Sequence, residues 1–230
     1  MIDVLIRLGQ LAADHPEVRE LDINPLLADA VGVVALDARL RVAPAQTPGA
    51  ARLAIAPYPQ HLETVDRLRE GTALRMRPLR PEDEPMLHDL AAHMSHEDLR
   101  LRFFSPVHGL THAVAARLSQ LDYDRELALV AERDGTALGV AHFFGDPDNL
   151  RAEYAIAVRS DWKGRGVGYV LMRRLIDIAR ERGIGELVGE VLRENEPMLQ
   201  MCRELDFAIA PEPRDPAVRL VRKRLGCVTP

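Results

Sequence analysis

Beyond Gly71 the apolar positions switch between a period of two and a period near three and a half, the pattern of strands alternating with helices. Leu74 to Leu79 reads as a short strand, and Pro81-Glu82-Asp83 opens a helix with Met86, Leu87, Leu90 and Met94 on one face and acid at its positive end. Two more helical stretches run through His96 to Phe103 and Thr111 to Leu121. Strands are expected at Glu126 to Glu132, Ala137 to Phe144 and Ala152 to Val158, the first two joined by the hairpin signal Asp134-Gly135. Val170, Leu171, Leu175, Ile178 and Ala179 then recur at helical spacing until Gly183 supplies a stop. A strand at Glu186 to Val191, a helix from Glu196 to Leu205 and two strands near Phe207 to Ala210 and Ala217 to Val221 follow. The predicted class is α/β with a mixed, mostly antiparallel sheet flanked by helices.

Upstream the pattern is thinner. A helix over Ile2 to Ala13 and strands around Arg19 to Ile23 and Val31 to Leu36 are too few for an independent core. The next stretch is rich in Ala and Pro, with Pro44, Pro48, Pro57 and Pro59, and Pro removes backbone donors and disfavours helix before it. The expected organisation is an N-terminal piece over 1–41, a linker over 42–72 and a main domain over 73–225.

Composition narrows the function classes. The chain is 47% hydrophobic and 28% charged, with no apolar run long enough to suggest a membrane span. A net charge of -5 with no basic stripe gives no electrostatic reason for nucleic-acid binding. Cys202 and Cys227 are too few for a disulfide framework, and the start lacks a secretory pattern, so a cytoplasmic protein is expected. His88, His93, His96, His108 and His112 show no metal-ligand spacing, so no metal is expected. Met198 and Met201 read as helix packing, and Glu82-Asp83-Glu84 as a charge preference at a helix start.

The strongest chemical signal is Lys163-Gly164-Arg165-Gly166-Val167-Gly168, where a predicted strand runs directly into a helix. Glycines there let successive amides converge, and a helix N-terminus favours negative charge, so a pyrophosphate fits. In isolation such a turn is equally a tight connection. Neither the P-loop nor the dinucleotide-binding spacing is present.

This segment instead resembles the coenzyme A signature of GNAT acetyltransferases, [Q/R]-x-x-G-x-[G/A], and the order of elements from Leu74 to Arg224 is similar to the GNAT fold. The stretch Leu192 to Phe207, with Asn195 opening a helix that ends in Leu205-Asp206-Phe207, resembles the motif that follows. The resemblance implies acetyl-CoA as substrate. It also implies that Ile156 and Val158 line the pantetheine arm through backbone groups, that Lys163, Gly164, Arg165, Gly166, Val167 and Gly168 hold the pyrophosphate, and that Asn195 lies near the coenzyme. Three positions depart from the pattern. Lys163 stands for Gln or Arg, Cys202 for a Tyr that returns a proton to the thiolate, and Asp206 for the commoner Gly.

Amine acetylation needs a group that takes a proton from an ammonium, and a carboxylate suits it. Glu153 is the candidate base. Strand alternation puts it on one face with Arg151, Ala155 and Ala157, opposite Ala152, Tyr154, Ile156 and Val158, and about 16 Å from Val158 at roughly 3.3 Å per residue. The alternative is a strand-edge carboxylate paired with Arg151 or another cation.

Glu20-Leu21-Asp22-Ile23-Asn24-Pro25-Leu26-Leu27 and Val33 to Arg39 resemble the end of the ATP-grasp subunit of NDP-forming acyl-CoA synthetases. There Asn24 and Asp37 match an amide and an acid that help hold the nucleotide's magnesium, but the nucleotide-gripping lobes are absent. Such a piece ahead of a GNAT domain resembles bacterial protein lysine acetyltransferases, which implies a protein substrate bearing a reactive lysine, an AMP-forming acyl-CoA synthetase among the candidates. A small-molecule N-acetyltransferase and a non-enzymatic acyl-CoA sensor are the alternatives.

Overall fold

The structure, a computed structural model, describes residues 2–47, 49, 53, 56–105, 109–148 and 150–226. His108 and Cys227 lie outside the described residues. Contacts divide the chain between Pro59 and Gln60.

In the first unit α1 (Ile2–Asp14) precedes β1 (Val18–Ile23), β2 (Leu26–Ala28), β3 (Val33–Ala35) and β4 (Ala38–Val42). β1 pairs antiparallel with β4, and β2 with β3. The Asp29 carboxylate accepts the amides of Val31 and Gly32 at 2.8 Å and closes the β2–β3 turn. The amide of Asn24 donates to the Asp37 carbonyl at 3.2 Å, so those two residues face each other across the small sheet. Val31, Val34, Leu36 and Leu40 are exposed, which is the physical content of a piece without its own core.

The second unit is built on an eight-stranded sheet. Its strands are β5 (Thr64–Arg67), β6 (Ala73–Pro78), β7 (Glu126–Arg133), β8 (Thr136–Gly145), β9 (Arg151–Val158), β10 (Glu186–Leu192), β11 (Ala208–Glu212) and β12 (Asp215–Arg224), in the order β11-β12-β10-β9-β8-β7-β6-β5. Neighbours are antiparallel except β9 and β10, which are parallel and joined by the crossover helix α5 (Val167–Glu181). β5 falls inside the stretch expected to be a linker. Its four residues pair with β6 as an edge strand, a signal too short to stand out beside the prolines before it.

Alternation in β7 assigns the two faces. Leu127, Leu129 and Ala131 join Leu171, Met172 and Leu175 of α5 and Leu199 and Cys202 of α6 (Glu196–Glu204), whereas Ala128 and Val130 join Leu87 and Leu90 of α2 (Glu84–Ala92). In β8 the alternation breaks. Ala131 faces Gly139 but Glu132 faces Ala137, so Leu138 is an extra residue that turns to the α5 side. The second face also carries α3 (His96–Phe103) and α4 (His112–Ser119).

Arg77 fixes where α2 begins. It is 5% exposed and bonds both oxygens of Asp83, at 2.6 and 2.9 Å, and Glu132 at 3.1 Å. Removing one partner of such a buried network typically costs about 3–5 kcal/mol.

Asp206, where the family pattern prefers Gly, has φ 58. The left-handed region costs an L residue roughly 1–2 kcal/mol, least for Asp and Asn. Asp206→Gly should therefore match or exceed the parent in stability, while Asp206→Val should lose about 1–2 kcal/mol in urea unfolding; equal stability of the Val variant would show the backbone there to be relaxed.

Candidate active site

β9 keeps β8 beside it along its whole length, with Val158 opposite Gly139, but it keeps β10 for only three residues. Arg151, Ala152 and Glu153 face Glu186, Leu187 and Val188. Past that point β10 follows β12 to Leu192 and the two parallel strands separate. Backbone polar groups of β9 from Tyr154 onward, on the side β10 has left, are thus open to a bound chain. Ile156 and Val158 lie on that open segment. Their side chains turn to α5, so what they can offer an extended ligand arm is backbone.

The turn after β9 leads directly into α5. Gly164 and Gly166 have φ 75 and 94, and a Cβ at either would meet nothing closer than 4.0 Å. Conformation, not space, requires glycine at both. Gly166 is the N-cap of α5; it supplies no side-chain cap, and no acidic residue occupies the first turn. The leading amides therefore lack intrahelical acceptors and carry the positive end of a helix of 15 residues. An anion such as a pyrophosphate fits this arrangement. Val167 is core, Gly168 faces Val158, Ile156 and Met201, and the Arg165 guanidinium stacks on Trp162 with its carbon 4.6 Å from the ring centre.

Lys163 is placed differently from the other members of the loop. Its amide donates to Ser160 and its ammonium is paired with the carboxylate of Asp98 on α3. The Ser160 hydroxyl bonds the other oxygen of Asp98, the amide of Ser95 donates to that hydroxyl at 2.8 Å, and the amide of Ser160 donates to the His93 carbonyl at 3.1 Å. Ser95 also caps α3 by accepting the Asp98 amide. The start of α3 is thereby tied to the glycine turn. Burial alone would raise the Asp98 carboxyl, but the Lys163 ammonium and the Ser160 hydroxyl outweigh it and hold it below its ordinary value.

Asn195 is the N-cap of α6, accepting the Met198 amide at 3.3 Å. Just before it Glu194 is paired with Arg100 of α3. Cys202, where the family pattern has a Tyr, is 1% exposed, and its sulfur lies 3.3 Å from the Tyr154 hydroxyl. Burial pushes up both the phenol and the thiol. Neither is placed as an accessible acid.

Glu153 occupies the fork itself, the last residue of β9 paired with β10, exposed and on the α3 face. Arg151, the cation weighed as its partner, is instead 3.3 Å from Glu186. Among the described residues no cation lies within ion-pair distance of Glu153; its charge reaches Arg102 of α3 only through space. Beside it, with Ala155 and Ala157 in the floor, is a pocket walled by Leu87, Leu90 and Met94 of α2, Leu99, Arg102 and Phe103 of α3, Leu118 of α4, and His142 of β8. Asp98, Arg102 and His142 carried no spacing signal in the sequence, because the pocket and the Lys163 pair bring together residues from separate helices and strands.

Among the histidines, His88 and His112 pair with Glu84 at 3.4 and 2.5 Å, and His93 with Asp89 at 3.3 Å. Among the described residues no three His, Cys, Asp or Glu side chains converge as a metal site. No described helix is long and apolar enough to cross a membrane.

Two outcomes are expected. Gly166→Ala forces an L residue to φ 94 and should weaken coenzyme A binding about tenfold in calorimetry with no large change in fold; unchanged affinity would place the anion elsewhere. For Asp98, a lowered folded pKa means stability that is present above its unfolded value and lost as pH falls through the folded one. Asp98→Asn should therefore be less stable than the parent at neutral pH and lose less on acidification below about pH 4. Parallel acid curves would show the Lys163 pair to be inert.

Comparison with known proteins agrees with this geometry. Residues 93–207 match the Acetyltransferase (GNAT) family, and residues 1–42 match an ATP-grasp domain. Acetyltransferase PA5475 of Pseudomonas aeruginosa is 28% identical over 155 residues, 66% of this chain and 83% of that protein. Acetyltransferase Pat of Mycolicibacterium smegmatis is 30% identical over 142 residues, 60% of this chain but only 42% of Pat, so the chain spans less than half the length of that relative. The crystal structure of the GNAT domain of S. lividans PAT superposes with a TM-score of 0.69 at 26% identity, covering 73% of this chain and 99% of that one. The chain, with its splayed parallel strands and glycine turn, belongs to the GNAT family of acetyltransferases.

Proposed function

We propose that this protein transfers an acetyl group from acetyl-CoA to the side-chain amine of a lysine on another protein. The observation that carries the chemistry is Glu153 at the fork where β9 and β10 part, exposed, beside the pocket, five residues before β9 ends at Val158 and ten before the glycine turn begins at Lys163. The acceptor arrives as an ammonium. Glu153, directly or through one water, takes its proton; the freed nitrogen attacks the thioester carbon, a C–N bond forms, the C–S bond breaks and the thiolate leaves with its electron pair. With Cys202 buried against Tyr154, the thiolate takes its proton from water.

Support for a protein acceptor comes from the order of the chain. A segment matching an ATP-grasp domain precedes the GNAT domain, and Pat is among the similar proteins. An AMP-forming acyl-CoA synthetase is the target class in keeping with that arrangement, since neutralising a lysine in its active site removes a charge the reaction uses.

With a purified acyl-CoA synthetase as acceptor, Glu153→Gln should lower kcat by about 10²-fold or more while coenzyme A affinity stays within about threefold. A variant as fast as the parent would make Glu153 a structural carboxylate, and transfer to small amines but to no protein lysine would remove the protein acceptor.

A further inference from the structure

A pocket lies beneath α2, α3 and α4, floored by Ala155 and Ala157 on the face of β9 that carries Glu153. Its apolar lining is broken by two polar side chains, Arg102 and His142. Neither has a hydrogen bond within the pocket among the described residues. Among the described residues the Arg102 guanidinium makes no hydrogen bond or ion pair and only stacks on Phe103, its carbon 4.9 Å from the ring centre. Nε2 of His142 is buried without a hydrogen-bond partner. Glu126 lies 3.6 Å from it, beyond hydrogen-bond reach, and the Glu126 carboxylate is already held by Arg117 through two bonds of 2.9 Å. A polar atom left unpaired in a native interior is costly, and the orphaned His142 Nε2 beside a half-buried Arg102 guanidinium that makes no hydrogen bond points to a missing acceptor.

The chemistry of that acceptor follows from the donors. A guanidinium presents a planar fork that matches a carboxylate through two parallel bonds, and imidazole with its proton on Nε2 adds a third donor. The floor of the pocket, Ala155 and Ala157, belongs to the open segment of β9, so the pocket adjoins the stretch assigned above to the extended arm of the coenzyme. We propose that the pocket takes the acyl chain of a donor longer than acetyl and ending in a carboxylate, the class of succinyl-CoA, with Arg102 recognising the terminal carboxylate. This rests on the coenzyme site assigned above and is independent of the acceptor. Bonds made and broken are unchanged: the amine gains the dicarboxylic acyl group, its proton goes to Glu153, and coenzyme A leaves as thiolate. The product would carry a negative charge where the lysine carried a positive one, a larger electrostatic change than acetylation.

Calorimetric binding of acetyl-, propionyl- and succinyl-CoA, without acceptor, tests this on the parent, Arg102→Met and Arg102→Lys. The parent should bind succinyl-CoA about tenfold more tightly than propionyl-CoA, and Arg102→Met should abolish that preference, with Arg102→Lys between them. A parent that binds succinyl-CoA no better than propionyl-CoA overturns the proposal. So does an Arg102→Met variant weakened equally for all three, since Arg102 would then serve the fold or Glu153. Failure of all three to bind overturns the coenzyme site itself and this proposal with it, whereas binding of acetyl-CoA alone overturns only the proposal.

Discussion

The parting of β9 from β10 after Glu153 is the constraint on which the rest of the site depends. A parallel pair held along its full length would close the sheet and leave no open backbone. Here β9 stays with β8 to Val158, β10 stays with β12 to Leu192, and each half of the sheet satisfies its own ladder while a wedge opens between them. The glycine turn lies at the far end of that wedge and Glu153 at its apex. An elongated ligand with an anionic group and a reactive end is matched at both points by one strand.

Helix α3 makes the site more than a coenzyme cleft. Its first turn is bound to the β9–α5 connection through Asp98, Lys163, Ser160 and Ser95, and Arg100 pairs with Glu194 next to Asn195. Its last turn lines the pocket with Arg102 and Phe103. One short helix thus contacts the glycine turn, the start of α6 and the pocket beside Glu153. Lys163 serves this connection with its ammonium, while the amides at the start of α5 have no side-chain cap.

The buried thiol of Cys202 alters the chemistry less than its position in the motif implies. A phenol is present at that place in the fold, but it belongs to Tyr154 on β9 and bonds the Cys202 sulfur inside the core. Coenzyme A thiol is acidic enough to leave as thiolate in water, so transfer does not require an accessible acid there. In the N-terminal unit two two-stranded sheets keep Asn24 and Asp37 opposite each other but leave apolar residues exposed.

Local chemistry made much of the fold legible before any coordinates. The two periods located the helices and most strands, Asp134-Gly135 marked the β7–β8 turn, and glycine spacing marked where α5 begins, because these features depend on residues within a turn or two of one another. Alternation likewise put Glu153 on a face with Ala155 and Ala157. Edge strand β5 was hidden, since four residues beside a proline-rich stretch carry too little pattern. What the sequence alone could not reach were the pairings that span long stretches of chain: Lys163 with Asp98, Arg151 with Glu186 in place of Glu153, Cys202 with Tyr154, and Arg102 and His142 in one pocket. Those were decided by how strands and helices from distant segments pack, because a side chain's partner is set by three-dimensional neighbourhood, and only the tertiary structure supplies that.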